Sequence, residues 1–217
     1  MDRSHHPTTT SRLLDRARPL ALAASTLLAS PVPMSALASV TALLGVSEAS
    51  AATVYWELPN LLTSFFPDAE RVGYARIRLS DADVEELSRR IGTAPRKRDW
   101  TVFVATRGGQ PVGYAVVDEV RGMHEPITYA VKFGLDGRIE RVEVMVYREA
   151  YGSEVRGAVF TNQFKGKDWR SPLRIDRDLR AVSGATISSR AVGGGARTIA
   201  AVISRLTETR GAALTGS

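Results

Sequence analysis

Near its C-terminus the chain reads Ser183-Gly184-Ala185-Thr186-Ile187-Ser188-Ser189-Arg190. One threonine hydroxyl sits among small residues, and a helix-forming segment follows at once. Gly184 permits backbone conformations that other residues resist, and Ala185 adds almost no bulk, so a large reactant can come close. A threonine hydroxyl is a poor nucleophile unaided, and modifying it requires an enzyme that can reach it. The helix that starts just afterwards points free backbone N–H groups and the positive end of its dipole at the same place, which favours a phosphate there. Arg190 and Lys165 are candidate counter-charges. The chemistry these residues suit is anchoring of a phosphoryl-bearing group through Thr186. They equally suit an ordinary helix start with Thr186 or Ser188 as N-cap, and four residues alone leave both readings open.

Several other chemistries are excluded. The chain has 217 residues and no cysteine, which removes disulfides, thiolate metal sites and thioether haem attachment. His124 is the only histidine beyond the first few residues, so a multi-histidine metal site is excluded as well. No Ser/His/Asp set for nucleophilic catalysis is visible, and the dinucleotide fingerprint within a strand–turn–helix unit is missing. The formal net charge is +6, but the basic residues are dispersed, without a long Lys/Arg run or interleaved aromatics. That argues against nucleic acid and for a basic surface suited to anionic membranes or an acidic redox partner.

The elements that must position Thr186 can be read in order. Arg12, Arg16 and Arg18 precede an apolar, alanine-rich stretch from Leu20 to about Val46, and Ala49-Ser50-Ala51 offers small residues at the spacing a signal peptidase needs. The stretch is also long enough to remain as an uncleaved membrane anchor, although Pro31 and Pro33 interrupt it. Either way the folded part is expected outside the cytoplasm, in the periplasm or on the outer face of the membrane. Residues 1–51 are read as signal peptide or anchor, 52–98 as an N-terminal helical and linker part, 99–207 as the main domain, and 208–217 as a flexible tail.

Within the mature chain a helix is predicted over Asp81–Ile91. Ser80 caps it with Asp83 three residues on, Val84, Leu87 and Ile91 form its apolar stripe, and Gly92 stops it. Four strands follow: Thr101–Thr106, Val112–Val120, Ile127–Phe133, and a strand carrying Val142, Val144 and Val146, with turns at Gly108-Gly109 and Asp136-Gly137. They read as an antiparallel meander with one covered face. A short helix is predicted over Ser153–Phe164 and a loop over Asp168–Val182, anchored by Trp169 and Leu173. The last helix, Ser188–Leu206, carries Val192, Ala196, Ile199, Ile203 and Leu206 on one stripe. Gly193, Gly194 and Gly195 cost about 1 kcal/mol each inside it, so its first turns must lie close to a strand or a bound group. The fold class is α+β, an antiparallel β-meander flanked by helices.

Three further stretches accompany the threonine motif: Asp136-Gly137-Arg138-Ile139, then Tyr147-Arg148-Glu149-Ala150-Tyr151-Gly152-Ser153-Glu154-Val155, then Gln163-Phe164-Lys165-Gly166-Lys167. With Ser183, Gly184, Ala185, Thr186 and Ser189 in a Ser-Gly-Ala-Thr-x-x-Ser/Thr pattern, the region from about Thr101 to Leu206 resembles the FMN-binding domain family. That family includes the flavin-carrying subunits of Rnf-type and sodium-translocating NADH:quinone oxidoreductase complexes and many small exported flavoproteins. The resemblance implies FMN joined by a phosphoester bond to Thr186. The partner implied is an exported, magnesium-dependent flavin transferase that takes FMN from FAD. It also places the Glu149–Glu154 and Gln163–Lys167 stretches near the flavin. Glu149 and Glu154 could then contact the ribityl chain or ring, and Tyr151 could stack on the ring; each is equally readable as a surface or packing residue. The protein is expected to be an electron carrier working with membrane or periplasmic redox partners rather than a self-sufficient enzyme. The alternatives are a non-covalent FMN binder and a cofactor-free exported adaptor on the same fold. One departure bears on attachment: Arg180 stands three residues before Ser183, where the transferase's recognition pattern usually has an aspartate, and Asp176 and Asp178 are out of register.

Overall fold

Gly108 and Gly109 sit at φ of 57° and 73°, the left-handed backbone that a two-residue hairpin turn needs at both central positions. They join β3 (Asp99–Arg107) to β4 (Gln110–Arg121). The computed structural model describes residues 52–214, so the expected signal or anchor segment lies outside the described residues. β5 (Pro126–Phe133) and β6 (Ile139–Tyr147) continue the meander. The β5–β6 turn uses Gly137 at φ 75° and the Asp136 carboxylate, which accepts from the Arg138 N–H at 3.0 Å.

The sheet is larger than the expected four strands. β2 (Arg71–Arg78) pairs antiparallel with β3 from Arg71 opposite Thr106 to Arg78 opposite Asp99. β1 (Thr53–Val54) pairs with Tyr147 and Val146 of β6. The order is β1-β6-β5-β4-β3-β2, so residues 52–98 supply both edges of the same sheet rather than a separate helical linker.

The expectation of one covered face is also corrected. On one face Val102, Val104, Val116, Val131 and Val142 pack beneath Leu87 of α2 (Asp81–Ile91) and the stripe of α4 (Thr186–Leu214). On the other, Phe103, Ala115, Ala130 and Met145 are covered by Leu58, Leu61, Leu62 and Phe65 of α1 (Leu58–Phe65). Strands buried on both faces lose clean alternation and read as continuous apolar runs, as Val102 to Ala105 do.

α2 has the predicted bounds and caps: Ser80 and Asp83 form a reciprocal capping box, and Gly92 ends the helix in a left-handed conformation at φ 76°. The predicted helix over Ser153–Phe164 is instead three short pieces, 3-10 turns at Ser153–Arg156 and Asn162–Phe164 around α3 (Ala158–Thr161). Gly157, with φ −68° and ψ 147°, leaves the helical region and breaks the run. α4 begins at Thr186 and continues past Thr207 to Leu214, with a non-helical Arg210. The expected tail is held there: Glu208 pairs with Arg90 at 2.5 Å and Arg210 with Asp83 at 2.9 Å. Among the described residues no helix is long and apolar enough to cross a membrane.

Candidate functional site

Thr186 is the first residue of α4 and is exposed. Gly184, at φ 77°, turns the chain into the helix. Ala185 is buried; its N–H donates to the Val182 carbonyl at 3.0 Å, and its own carbonyl accepts from Ser189 N–H at 2.8 Å. That is the first backbone bond into the helix, so the N–H groups before Ser189 belong to the set that has no intrahelical acceptor. Ser183 and Gly184 are exposed like Thr186, whereas Ser188 and Ser189 are buried. Small residues here do two jobs. Ala185, Ser188 and Ser189 let the helix start settle onto the sheet, and Ser183, Gly184 and Thr186 leave its outer surface open.

The turn rests on Tyr147, a residue whose role sequence reasoning missed. Its hydroxyl donates to the Tyr151 carbonyl at 2.6 Å and lies 2.9 Å from Ser188 Oγ. A hydroxyl has one proton to give, so Ser188 donates to Tyr147. Burial pushes the Tyr147 phenol up, and the Ser188 hydrogen bond offsets part of that. Gly152, at φ 89°, fills the remaining space. A β-carbon there would stand 2.7 Å from the Tyr147 hydroxyl and 3.3 Å from both Ala185 Cα and the Gly184 carbonyl. The 147–152 stretch and the threonine motif are therefore in direct contact.

Tyr151 is 87% exposed. With Ile187 beside Thr186, and Val159 on α3, it leaves apolar surface around the motif open to solvent. Glu149, by contrast, is committed to the β4–β5 turn. Its carboxylate accepts from the backbone N–H of His124 at 2.7 Å and of Glu125 at 3.1 Å. Burial acts against its charge, but these donors and the Met123 N–H hold its pKa below the usual value. Glu154 is exposed on the short turn that follows.

The Gln163–Lys167 stretch clamps the loop that leads into the motif. The Gln163 amide accepts from Arg180 N–H at 2.7 Å and donates to the Arg180 carbonyl at 3.1 Å. Lys167 donates to Asp178 at 3.0 Å, and Asp178 also accepts from Arg174 N–H. The Asp178 carboxyl is held below the ordinary range: burial raises it, and these donors outweigh that. Arg180 thus has its backbone fixed and its side chain exposed. Val159, Gln163, Arg180, Val182 and Ser183 line a cleft of about 480 Å³ beside the motif, within the size range of small-molecule sites. Lys165 stands apart. The next residue, Gly166, bonds Ile139 at the start of β6, whereas Tyr147 at its end underlies the motif. Eight strand steps of about 3.3 Å lie between those two ends. Arg190, one turn into α4, is exposed and pairs loosely with Asp176 at 3.8 Å.

The glycine run divides. A β-carbon at Gly193 would meet the Leu173 carbonyl at 2.7 Å, and one at Gly195 would collide with the buried Tyr129 hydroxyl. These two are explained by a loop and a strand. A β-carbon at Gly194 meets nothing within 4 Å.

An exposed hydroxyl at a helix start, an apolar surround and a neighbouring cleft fit a phosphate-anchored aromatic cofactor on an antiparallel α+β domain. Residues 122–201 match the family model described as the FMN-binding domain, so the chain carries a domain of that family and its cofactor is FMN. Two solved structures are similar. One is NqrC of Shewanella oneidensis, at 20% identity, covering 69% of this chain and 89% of that chain with a TM-score of 0.44. The other is the NqrC counterpart from the Na(+)-translocating NADH-quinone reductase of Parabacteroides distasonis, at 20% identity, covering 66% and 77% with a TM-score of 0.41. No curated protein matches the chain.

Proposed function

We propose that FMN is attached through its phosphate to Thr186 Oγ and that the protein is an electron carrier outside the cytoplasm, working with membrane-associated redox partners. One observation carries the attachment: the Thr186 hydroxyl is exposed at the first turn of α4, on a turn whose underside is fixed by Tyr147 and Gly152. In this reading a flavin transferase directs the Thr186 oxygen onto the flavin-side phosphorus of FAD. The P–O–P bond breaks, AMP leaves and the hydroxyl proton is lost. Bound FMN supplies the redox chemistry, accepting electrons singly or in pairs.

The chain's own residues do the rest. The free N–H groups of the first helical turn and Arg190 face the phosphate's negative charge. Gly184 and Ser183 leave its approach open. Tyr151, Ile187 and Val159 offer apolar surface for the ring, and the cleft at Ser183 offers volume. The net charge of +6 suits an acidic redox partner or an anionic membrane surface.

The test is the intact mass of the full chain produced together with a flavin transferase. The expected mass exceeds that of the mature protein by FMN less one water, and Thr186→Ala removes the increment. Reversible FMN binding is the second reading, favoured by Arg180 at the aspartate position. It predicts yellow protein that loses its colour on denaturation, with Thr186→Ala unchanged in both respects.

A further inference from the structure

Gly194 is a helix-interior glycine that no packing contact requires, since a β-carbon there meets nothing within 4 Å. It forms part of a second cleft of about 620 Å³, on the face of α4 that carries Arg190 and Arg197, and across from the loop bearing Arg174. Leu173 and Asp176 also line it. At φ 47° and 69° they are the non-glycine residues that hold left-handed backbone among the described residues. Such strain persists where the surroundings enforce it and gathers at ligand sites.

The charge of this cleft is unbalanced. It has three guanidinium groups and one carboxylate, Asp176, whose pair with Arg190 is stretched to 3.8 Å. Arg197 is pre-positioned: its Nη1 donates to the Ile91 carbonyl at 3.1 Å and its Nε to the Trp169 carbonyl at 3.4 Å. That leaves further guanidinium donors unused. The Arg174 side chain is exposed, and its backbone is fixed by Asp178.

We infer that this cleft binds a phosphoryl dianion, with Arg174, Arg190 and Arg197 as its cations and Gly194 as an open floor that allows close approach. Planar guanidinium groups fixed around an open volume suit phosphate, and a dianion matches the excess of cations over Asp176. The inference goes beyond the flavin site and holds whether or not Thr186 is modified.

The test is calorimetric titration of the full chain with sodium phosphate against sodium chloride at matched ionic strength. It is run on the native protein, Arg174→Gln and Gly194→Leu, with flavin content read by intact mass. Saturable phosphate binding is expected, weakened about tenfold in each variant. Neither substitution removes a packing contact, and unchanged thermal melting confirms the folded state. A parallel titration of Thr186→Ala separates two sources of the phosphate. Equal binding with and without attached flavin assigns the cleft to a free phosphate-bearing molecule. Binding seen only without attached flavin assigns it to the flavin's own phosphoryl group. Heats matching those of chloride, or saturable binding unchanged in both variants, overturn the inference.

Discussion

The Tyr147 and Ser188 hydroxyls meet at 2.9 Å directly beneath the turn that presents Thr186. Tyr147 gives its own proton to the Tyr151 carbonyl, so one phenol joins the end of β6 to the first turn of α4. Tyr147→Phe leaves the Ser188 hydroxyl and that carbonyl without this partner. The expected destabilisation is about 1–3 kcal/mol, read as a lower midpoint in urea. A second readout is the rate of flavin attachment at fixed transferase: it falls in Tyr147→Phe although Thr186 is intact. An unchanged rate at full folding would show that the phenol is only packing.

Gly152 tests the same junction sterically. Its φ of 89° is costly for any other residue, and a β-carbon would press on the Tyr147 hydroxyl, Ala185 and Gly184. Gly152→Ala is expected to cost about 1–3 kcal/mol from backbone strain, with the clash in addition. Thermal melting gives the loss, and the fraction of flavinylated protein drops more than for a surface Gly→Ala change elsewhere.

How much of this was legible in the sequence follows from physics. The α2 caps could be read because each acts within four residues of chain, through Ser80, Asp83 and Gly92. The hairpin at Gly108-Gly109 could be read because turn chemistry is local. β2 was hidden because an edge strand carries Arg71, Arg76 and Arg78 where an inner strand carries valines. α1 was hidden behind Pro59, although Leu58, Leu61, Leu62 and Phe65 follow a helical stripe. In the site, the exposure of Thr186 was legible from its small neighbours. The seat beneath it was not, because Tyr147 and Ser188 lie 41 residues apart and meet only through the sheet. Glu149 looked like a ligand-facing carboxylate, and only the fold reveals that its oxygens are taken by the 123–125 turn.

The glycine run offers a paired test within one helix. Gly195→Ala drives a methyl into the Tyr129 hydroxyl and Val120, and overpacking of this kind costs about 1–3 kcal/mol. Gly194→Ala meets nothing and removes a helix-interior glycine, so it is expected to stabilise by about 1 kcal/mol. Opposite signs at adjacent positions, measured by chemical denaturation, are the outcome to look for. The same sign at both would mean that Gly195 is not held against β5.

Asp83 ties the two long helices together. It accepts from Arg205 at 2.8 Å and Arg210 at 2.9 Å while capping α2 through Ser80. Burial opposes its charge, but the Ser80 and Arg205 hydrogen bonds and the Arg210 charge hold its pKa below the usual carboxylate value. A lowered folded-state pKa gives stability that is complete above the unfolded value and lost as pH falls through the folded one. Asp83→Asn is therefore expected to cost on the order of 3 kcal/mol at neutral pH. The gap to the native protein narrows in acid, below the ordinary carboxylate range. A gap that stays constant with pH would locate the effect in packing instead.

Arg180 decides how readily the site is loaded. Its backbone is clamped on both sides by the Gln163 amide, so a substitution changes the exposed side chain without moving the loop. That side chain borders both the cleft at Ser183 and the one formed by residues 176–181. A cation at this point opposes any transferase that seeks a carboxylate three residues before Ser183. Arg180→Asp reverses the charge while keeping the clamp, and is expected to raise the flavinylated fraction at fixed transferase and time, measured by intact mass. Arg180→Gln, which removes charge without supplying a carboxylate, separates relief of repulsion from recognition. Gain in both variants points to repulsion, and gain only in Arg180→Asp points to a contact that needs the carboxylate itself. Equal loading of all three proteins would remove Arg180 from the recognition surface and leave access to the Thr186 hydroxyl as the controlling feature.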